Sequence, residues 1–404
     1  MNKMNRRDFL KYSATAAAAV AGSRLLTGCA PAPTAEPSGK APSGEPIRIG
    51  VLSPMTGMAT WSGQMMLDCT QLAVNEMNAA GGLLGRPLEI VLEDTETNPE
   101  RAVAKAQRLI LQENVDVIVG TLFSSVRNAV KQVTDEHQMI LLNPTYYEGK
   151  QCGKYYFSTG SVANQQFSAF VPWLVENVGA RFFLVGSDYA WPRGSFEVLK
   201  PILAEAGGEL VGEEYVPLGN TEWTALIRRI DAANPHVIAR LVAGSDGVAF
   251  GNACYDFGLL EKTAMATAGI AEAYFSGVRP EVRAGMYVST DYTMAINSPE
   301  NHAFLAGYRA IAGQAAPLDP IPEHQYENTR LYGLAVEKAG SVDSDAVAKA
   351  LEEVSFQGPA GPITFLKENH HAVLTYYTCR VDKWNNLEIL LVSDKMEPDP
   401  RCTI

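Results

Sequence analysis

Short apolar, β-branched runs alternate with amphipathic stretches from residue 47 almost to the C-terminus, and no other feature narrows the possible folds as much. The first series reads as strands at 47–52, 88–92, 115–119 and 139–142, separated by helices at 63–79, about 99–113 and 123–136. The first of these helices closes on Gly81-Gly82, the residue type that tolerates a left-handed helix end. A second series follows, with strands at 182–185, 210–215 and 237–242 and helices at 193–206, 222–233 and 246–257. The strands lack the polar alternation of a half-exposed sheet, so they predict parallel sheets covered by helices on both faces. Two such units in tandem predict an α/β chain of two doubly wound, Rossmann-like lobes, and 404 residues are enough for both.

The N-terminus stands outside this alternation. Arg6-Arg7-Asp8-Phe9-Leu10-Lys11 precedes an Ala-rich segment at 14–21 and then Leu26-Thr27-Gly28-Cys29. A charged start, a short apolar core and small residues at the end describe an export signal over 1–28, and the Arg-Arg pair is the twin-arginine form of it. Arg24 interrupts the apolar stretch, which falls short of the roughly 20 residues of a membrane-spanning helix. Leu-Thr-Gly-Cys resembles a bacterial lipoprotein cleavage box, which implies a lipid on Cys29. Residues 29–45, rich in Pro, Ala, Ser and Gly, then read as the lipidated Cys and a disordered tether. The expected location is outside the cytoplasm, periplasmic or at the cell surface, anchored to a membrane.

Charge and cysteines bound the chemistry. The formal charge is −12, and the leader holds more basic than acidic residues, so the mature chain is more acidic still. No basic run occurs, which argues against nucleic acid as a partner. Of the six cysteines, Cys29 is assigned to lipid, leaving five and so at least one unpaired within the chain. Cys379 with Cys402 could staple the C-terminal tail, and Cys69 with Cys152 is another possible pair. There is no phosphate-binding glycine loop and no nucleophile elbow; Gly244-Ser245-Asp246-Gly247 lacks the glycine two residues before the serine. His370-His371 is the only adjacent histidine pair, and neighbours on a strand face opposite ways, so a structural role is expected and no metal or cofactor. Asp94 and Glu96 read as a solvated loop or helix cap.

In doubly wound lobes ligands lie beyond the carboxyl ends of the strands. That rule selects 53–61, 120–125 and 143–149 in the first unit, and 186–193, 243–246 and 268–272 in the second. Ser124 and Ser125 open a helix, where they could cap it or leave its N–H groups and a hydroxyl to a ligand. Tyr146 and Tyr147, and later Tyr189 and Trp191, offer flat apolar faces with a polar tip.

These segments resemble the type I periplasmic binding proteins of ABC importers, most of all the urea- and short-chain-amide-binding branch. The resemblance spans 47–398 and rests on Asn75-Glu76-Met77-Asn78-Ala79-Ala80-Gly81-Gly82 with Leu84-Gly85-Arg86-Pro87, on Tyr147-Glu148-Gly149 and Gly186-Ser187-Asp188-Tyr189, and on 212–219 and Glu368-Asn369-His370-His371. It implies a Venus flytrap: two lobes joined by a three-strand hinge close on a small polar solute, urea, a short-chain amide or an amino acid, for delivery to permease and ATPase subunits. It places Ser124 and Tyr147 against the ligand from lobe one, with Trp61 and Thr145 nearby, and Trp191, Gly244 and Glu272 from lobe two. In amino-acid-binding relatives the acidic residue near Glu272 holds the ammonium. Where urea-binding members carry Cys-Trp-Thr this chain has Thr121-Leu122-Phe123, and Thr145-Tyr146 also departs, so the expected pocket is amide-like in type and altered in shape. The resemblance sets lobe one at 46–163 and 293–341, lobe two at 164–292 and 342–395, and a tail at 396–404. An amino-acid receptor of the same fold is the alternative, followed by an amide sensor; a hydrolase lacks its nucleophile and base.

Overall fold

The computed structural model describes residues 42–57 and 59–404, so the export signal, Cys29 and the tether up to residue 41 lie outside the described residues. Strands β1 (Ile47–Ser53), β2 (Leu88–Asp94), β3 (Val117–Gly120), β4 (Leu141–Asn143) and β5 (Tyr156–Ser158) form one sheet in the order β2-β1-β3-β4-β5. All its pairings are parallel. Helices α1 (Thr60–Ala79), α2 (Pro99–Leu111) and α3 (Ser124–Glu136) carry the chain back between strands. The helix starts are written locally: Asn98 accepts the Arg101 N–H ahead of Pro99, the residue that fits a first helical position. Strand β3 is buried at all four positions, the pattern of a strand covered on both faces.

The chain then passes through short helices α4 (Ala163–Phe167) and α5 (Phe170–Asn177) into the second lobe. There β6 (Arg181–Ser187), β7 (Glu209–Val216), β8 (Val237–Leu241), β9 (Ala264–Ala268) and β10 (Tyr287–Thr290) run in the order β7-β6-β8-β9-β10, all parallel. Counted from each lobe's own first strand, both sheets show the same winding. Helices α6 (Ala190–Glu205), α7 (Thr224–Ala233), α8 (Gly244–Asp256), α9 (Glu272–Ser276) and α10 (Pro280–Arg283) connect them.

After β10 the chain returns to lobe one for α11 (Pro299–Ala312), α12 (Pro320–Ala339), α13 (Ser344–Leu351) and the hairpin β11 (Phe356–Gly358) and β12 (Gly361–Ile363). It crosses a third time to add antiparallel β13 (Tyr377–Val381) and β14 (Leu387–Val392) to the second sheet. Stretch 342–363, expected in lobe two, therefore packs with lobe one. Helix α13 buries Val347 and Leu351 against α12, which itself lies along α1, so the third crossing waits until about 364–376.

Two further expectations change. The disulfide joins Cys152 to Cys402, with Cα atoms 5.9 Å apart, while Cys69, Cys254 and Cys379 are free and buried. Cys69 lies in α1 and Cys379 in β13, each facing a core, so neither can reach its expected partner. Nor are the last residues of the expected tether loose: the Ser43 N–H donates to Gly85 and Arg86 Nε donates to the Glu45 carbonyl; at the other end of the chain the Lys150 N–H donates to Pro400. Among the described residues no helix is long and apolar enough to cross a membrane.

Candidate functional site

The shared winding puts a topological switch point between β1 and β3 in lobe one and between β6 and β8 in lobe two, and the two face each other across a cleft. The cleft encloses about 670 Å³ of non-atom space, part of it open to solvent. Lobe one supplies Ala59 and Trp61 after β1, Leu122, Phe123 and Ser124 after β3, and Thr145 and Tyr146 after β4. Lobe two supplies Tyr189 and Trp191 after β6, Arg240 from within β8, Val242 to Gly244 after it, and Thr267, Ala268, Ile270 and Tyr274. Ile321, at the start of α12, closes the lobe-one side.

Three aromatic pairs cross the cleft. Tyr146 and Trp191 have ring centroids 5.3 Å apart, Phe123 and Tyr189 6.2 Å, and Trp61 and Tyr274 6.4 Å. The lobes approach closely enough that a Cβ on Gly269 would sit 2.7 Å from the Tyr146 ring. The loop after β1 is held from below by Asp94, whose carboxylate accepts the N–H groups of Met55 and Thr56 and the Thr56 hydroxyl.

The charge that lines the cleft is positive, with the nearest carboxylates, such as Glu148 bonded to Ser124, set behind the lining. Helices α1, α3, α6 and α8 all begin at it, and none has a side chain capping its first N–H groups. A helix N-terminus carries a partial positive charge on those unsatisfied donors. Arg240, only 2 % exposed, adds a full one. Its Nη1 donates to the Tyr274 hydroxyl at 2.7 Å and its Nε has no partner. Among the described residues no carboxylate pairs with it, and it is the one formally charged side chain lining the cleft. Gly247 makes room for it, since a Cβ there would lie 2.1 Å from Nη1.

Seven expected residues therefore line the cleft: Trp61, Ser124, Thr145, Tyr146, Tyr189, Trp191 and Gly244. Three do not. Tyr147 is fully buried beneath the cleft, its hydroxyl 2.5 Å from His371 Nε2, because neighbours on an extended segment point to opposite sides and Tyr146 takes the cleft side. Ser125 is exposed on the outer face of α3. Glu272 accepts the Thr293 hydroxyl at 2.5 Å and borders a separate depression beside Met294 and Trp384. Burial pushes its carboxyl pKa up. Neither serine caps α3; the Ser124 hydroxyl donates to Glu148 Oε2 at 2.8 Å instead. The histidine pair does split by face, with His370 stacked on Phe157 and His371 on Tyr147.

Sequence reading passed over Arg240 and Tyr274. A signal for the first was present: one arginine in the otherwise apolar run Val237-Ile238-Ala239-Arg240-Leu241, where a buried strand allows an uncompensated charge only at a cost.

Comparison with known proteins agrees with this architecture. A family model described as "Periplasmic binding protein" matches residues 46–386, and one for the twin-arginine translocation pathway signal sequence matches 3–23. The leucine-, isoleucine-, valine-, threonine- and alanine-binding protein of Pseudomonas aeruginosa is 24 % identical over 332 residues, 79 % of this chain and 85 % of its own. Among solved structures, an amino acid ABC transporter substrate-binding protein from Pseudomonas fluorescens superposes with a TM-score of 0.80 at 24 % identity, covering 89 % of this chain and 99 % of the other. A solute-binding protein of an ABC transporter from Rhodopseudomonas palustris, in complex with p-hydroxybenzoic acid, gives 0.81 at 21 % identity, covering 87 % and 98 %.

Proposed function

The chain belongs to the periplasmic binding protein family of solute receptors, and we propose that it captures a small aromatic carboxylate outside the cytoplasm for an ABC importer. The observation that carries this reading is Arg240: a buried guanidinium without a carboxylate partner, in an aromatic cleft where four helix N-termini converge. Such a site is short of one negative charge, and a flat anion supplies it. The carboxylate pairs with Arg240 and with N–H groups at the helix starts, while the ring lies among Trp61, Tyr146, Tyr189 and Trp191. Contacts come from both lobes, which lets the ligand favour closure, because it stabilises the closed state only by binding it better than the open one. Permease and ATPase subunits are the partners this role requires, and lipid on Cys29 would hold the receptor at the membrane.

A branched-chain amino acid is the second reading, supported by what the Pseudomonas aeruginosa relative binds. It shares the carboxylate but needs an anion for its ammonium, and Glu272 is engaged with Thr293 away from the cleft. Urea or a short-chain amide is supported by the quoted branch motifs, but it is neutral and leaves Arg240 unmatched.

Thermal unfolding of the mature protein against benzoate, 4-hydroxybenzoate, leucine, isoleucine, urea and acetamide separates the three. A ligand at 100 times its dissociation constant adds about 2.7 kcal/mol of stability. Stabilisation by the benzoates is expected. Stabilisation by leucine or by urea without the benzoates would overturn the aromatic reading in favour of that class.

A further inference from the structure

A second buried polar cluster lies at the hinge, away from the cleft. Glu323, His324 and Glu327 occupy the first turns of α12, and Asp291 follows β10 on the second crossing between lobes. None of the four is more than 2 % exposed. His324 Nδ1 lies 3.2 Å from Glu327 Oε2 and 3.8 Å from Glu323 Oε2, while Nε2 on the other side of the ring lies 3.2 Å from Asp291 Oδ2. Both carboxylate oxygens of Glu323 lack a hydrogen-bond partner among the described residues, although the side chain is fully buried and aimed into the cluster.

Three carboxylates around one imidazole leave this interior short of positive charge even with His324 protonated, and no Lys or Arg pairs with them among the described residues. The donors have the spacing of a metal face. An ion about 2.1 Å from each donor in a tetrahedral shell sets the donors about 3.4 Å apart; the two distances to Nδ1 bracket that value, and all three donor atoms lie within 4.8 Å of one another. Asp291 Oδ2 lies 3.2 Å from the far ring nitrogen, which has no hydrogen-bond partner in this geometry, so with an ion on Nδ1 it is the carboxylate placed to receive the Nε2–H and orient the ring. The hairpin leaves room for the Glu327 carboxylate: a Cβ on Gly358 would lie 2.0 Å from its Oε1. A cavity with about 270 Å³ of non-atom space, lined by Asp291, His324, Glu327 and Gly361, gives access.

We propose that Glu323, His324 and Glu327 form a binding site for a first-row divalent cation, Zn²⁺ by its fit to a mixed imidazole and carboxylate set, with Asp291 as the positioning residue. The site is tied to every crossing. Asp291 Oδ2 accepts the Tyr376 hydroxyl at 3.2 Å, and Tyr376 in turn bonds Ser161, so the ion braces all three passages between the lobes.

Isothermal titration of the chelator-stripped mature protein with ZnCl₂, using MgCl₂ as control, tests the site. One equivalent of Zn²⁺ is expected, with a saturable rise in Tm that magnesium does not reproduce. Glu323→Gln should weaken the binding at least tenfold while leaving the far-UV circular dichroism unchanged. If that variant fails to fold, Co²⁺ bound to the unmutated chain still reads the donor set: its visible absorption should differ from that of aqueous Co²⁺ and vanish on adding one equivalent of Zn²⁺. Absence of Zn²⁺ binding, an unperturbed Co²⁺ spectrum, or Zn²⁺ binding that survives in a folded Glu323→Gln protein would overturn the proposal.

Discussion

Two arginines are buried to the same degree and do opposite things. Arg127, in α3 of lobe one, is fully buried, with Nη2 3.2 Å from Glu148 and its guanidinium carbon 4.0 Å above the Tyr147 ring. Arg240, in β8 of lobe two, is 2 % exposed and meets a phenol, helix starts and open space. Burying a charge is costly unless the fold provides its partner. Where the partner is built in, the pair belongs to the scaffold. Where it is missing, the fold carries a standing deficit that a ligand can relieve, and burial alone does not separate the two cases.

The largest effect should come from breaking the paired side. Arg127→Met leaves Glu148 buried without its cation and should lower stability by about 3–5 kcal/mol in denaturant unfolding. A small loss would mean that the pair is not structural. Next comes pH. Burial pushes the His371 pKa down to about 4, against about 6.5 in an unfolded chain. The fold accepts the neutral ring, so this contribution is complete above pH 6.5 and is lost as pH falls toward 4, by up to about 3 kcal/mol. Asp319, raised to about 7 chiefly by burial, acts with the opposite sign: its contribution is present below about pH 4 and is lost as pH rises through 7. The clean measurement is therefore the difference between the wild type and His371→Asn across that window, and equal slopes would reject the assignment.

Breaking the unpaired side should read out in binding instead. Arg240→Met should weaken benzoate by about 30-fold or more, the 2 kcal/mol or greater expected for truncating one member of a buried charge pair. Its stability should hold or rise, because no carboxylate is abandoned. A destabilised Arg240→Met that still binds benzoate would erase the contrast between the two arginines. The smallest effect is the control: Glu272→Gln should leave benzoate affinity within about twofold, since the side chain lies outside the cleft. A large loss there would put the side chain at the ligand after all, and only a loss of leucine binding in the same variant would restore the ammonium-holding role.

Much of this architecture can be read from the residues themselves. Apolar strands and amphipathic helices dictated two doubly wound lobes, and the strand-end rule found the cleft loops. What escaped was set by side-chain direction and by long-range packing. Tyr146 and Tyr147 are equivalent in composition, and only strand geometry decides which faces the cleft. Arg240 sits inside a strand, where loop-based reading does not look. Cys152 and Cys402 are 250 positions apart, and nothing local pairs them. The donors at the hinge were hidden for a related reason: only the α12 start and the β10 exit together bring Asp291 to His324.

That disulfide also changes what the hinge is topologically. Both of its cysteines lie outside lobe two in the sequence, so the whole of lobe two and all three crossings sit within one covalent ring of the chain. In the chain-entropy picture a ring this long restrains the unfolded ensemble by about 5 kcal/mol. It also makes the receptor tolerant of nicking: one cut in any loop of lobe two opens the ring without releasing a fragment, and the pieces separate only when the thiols are reduced.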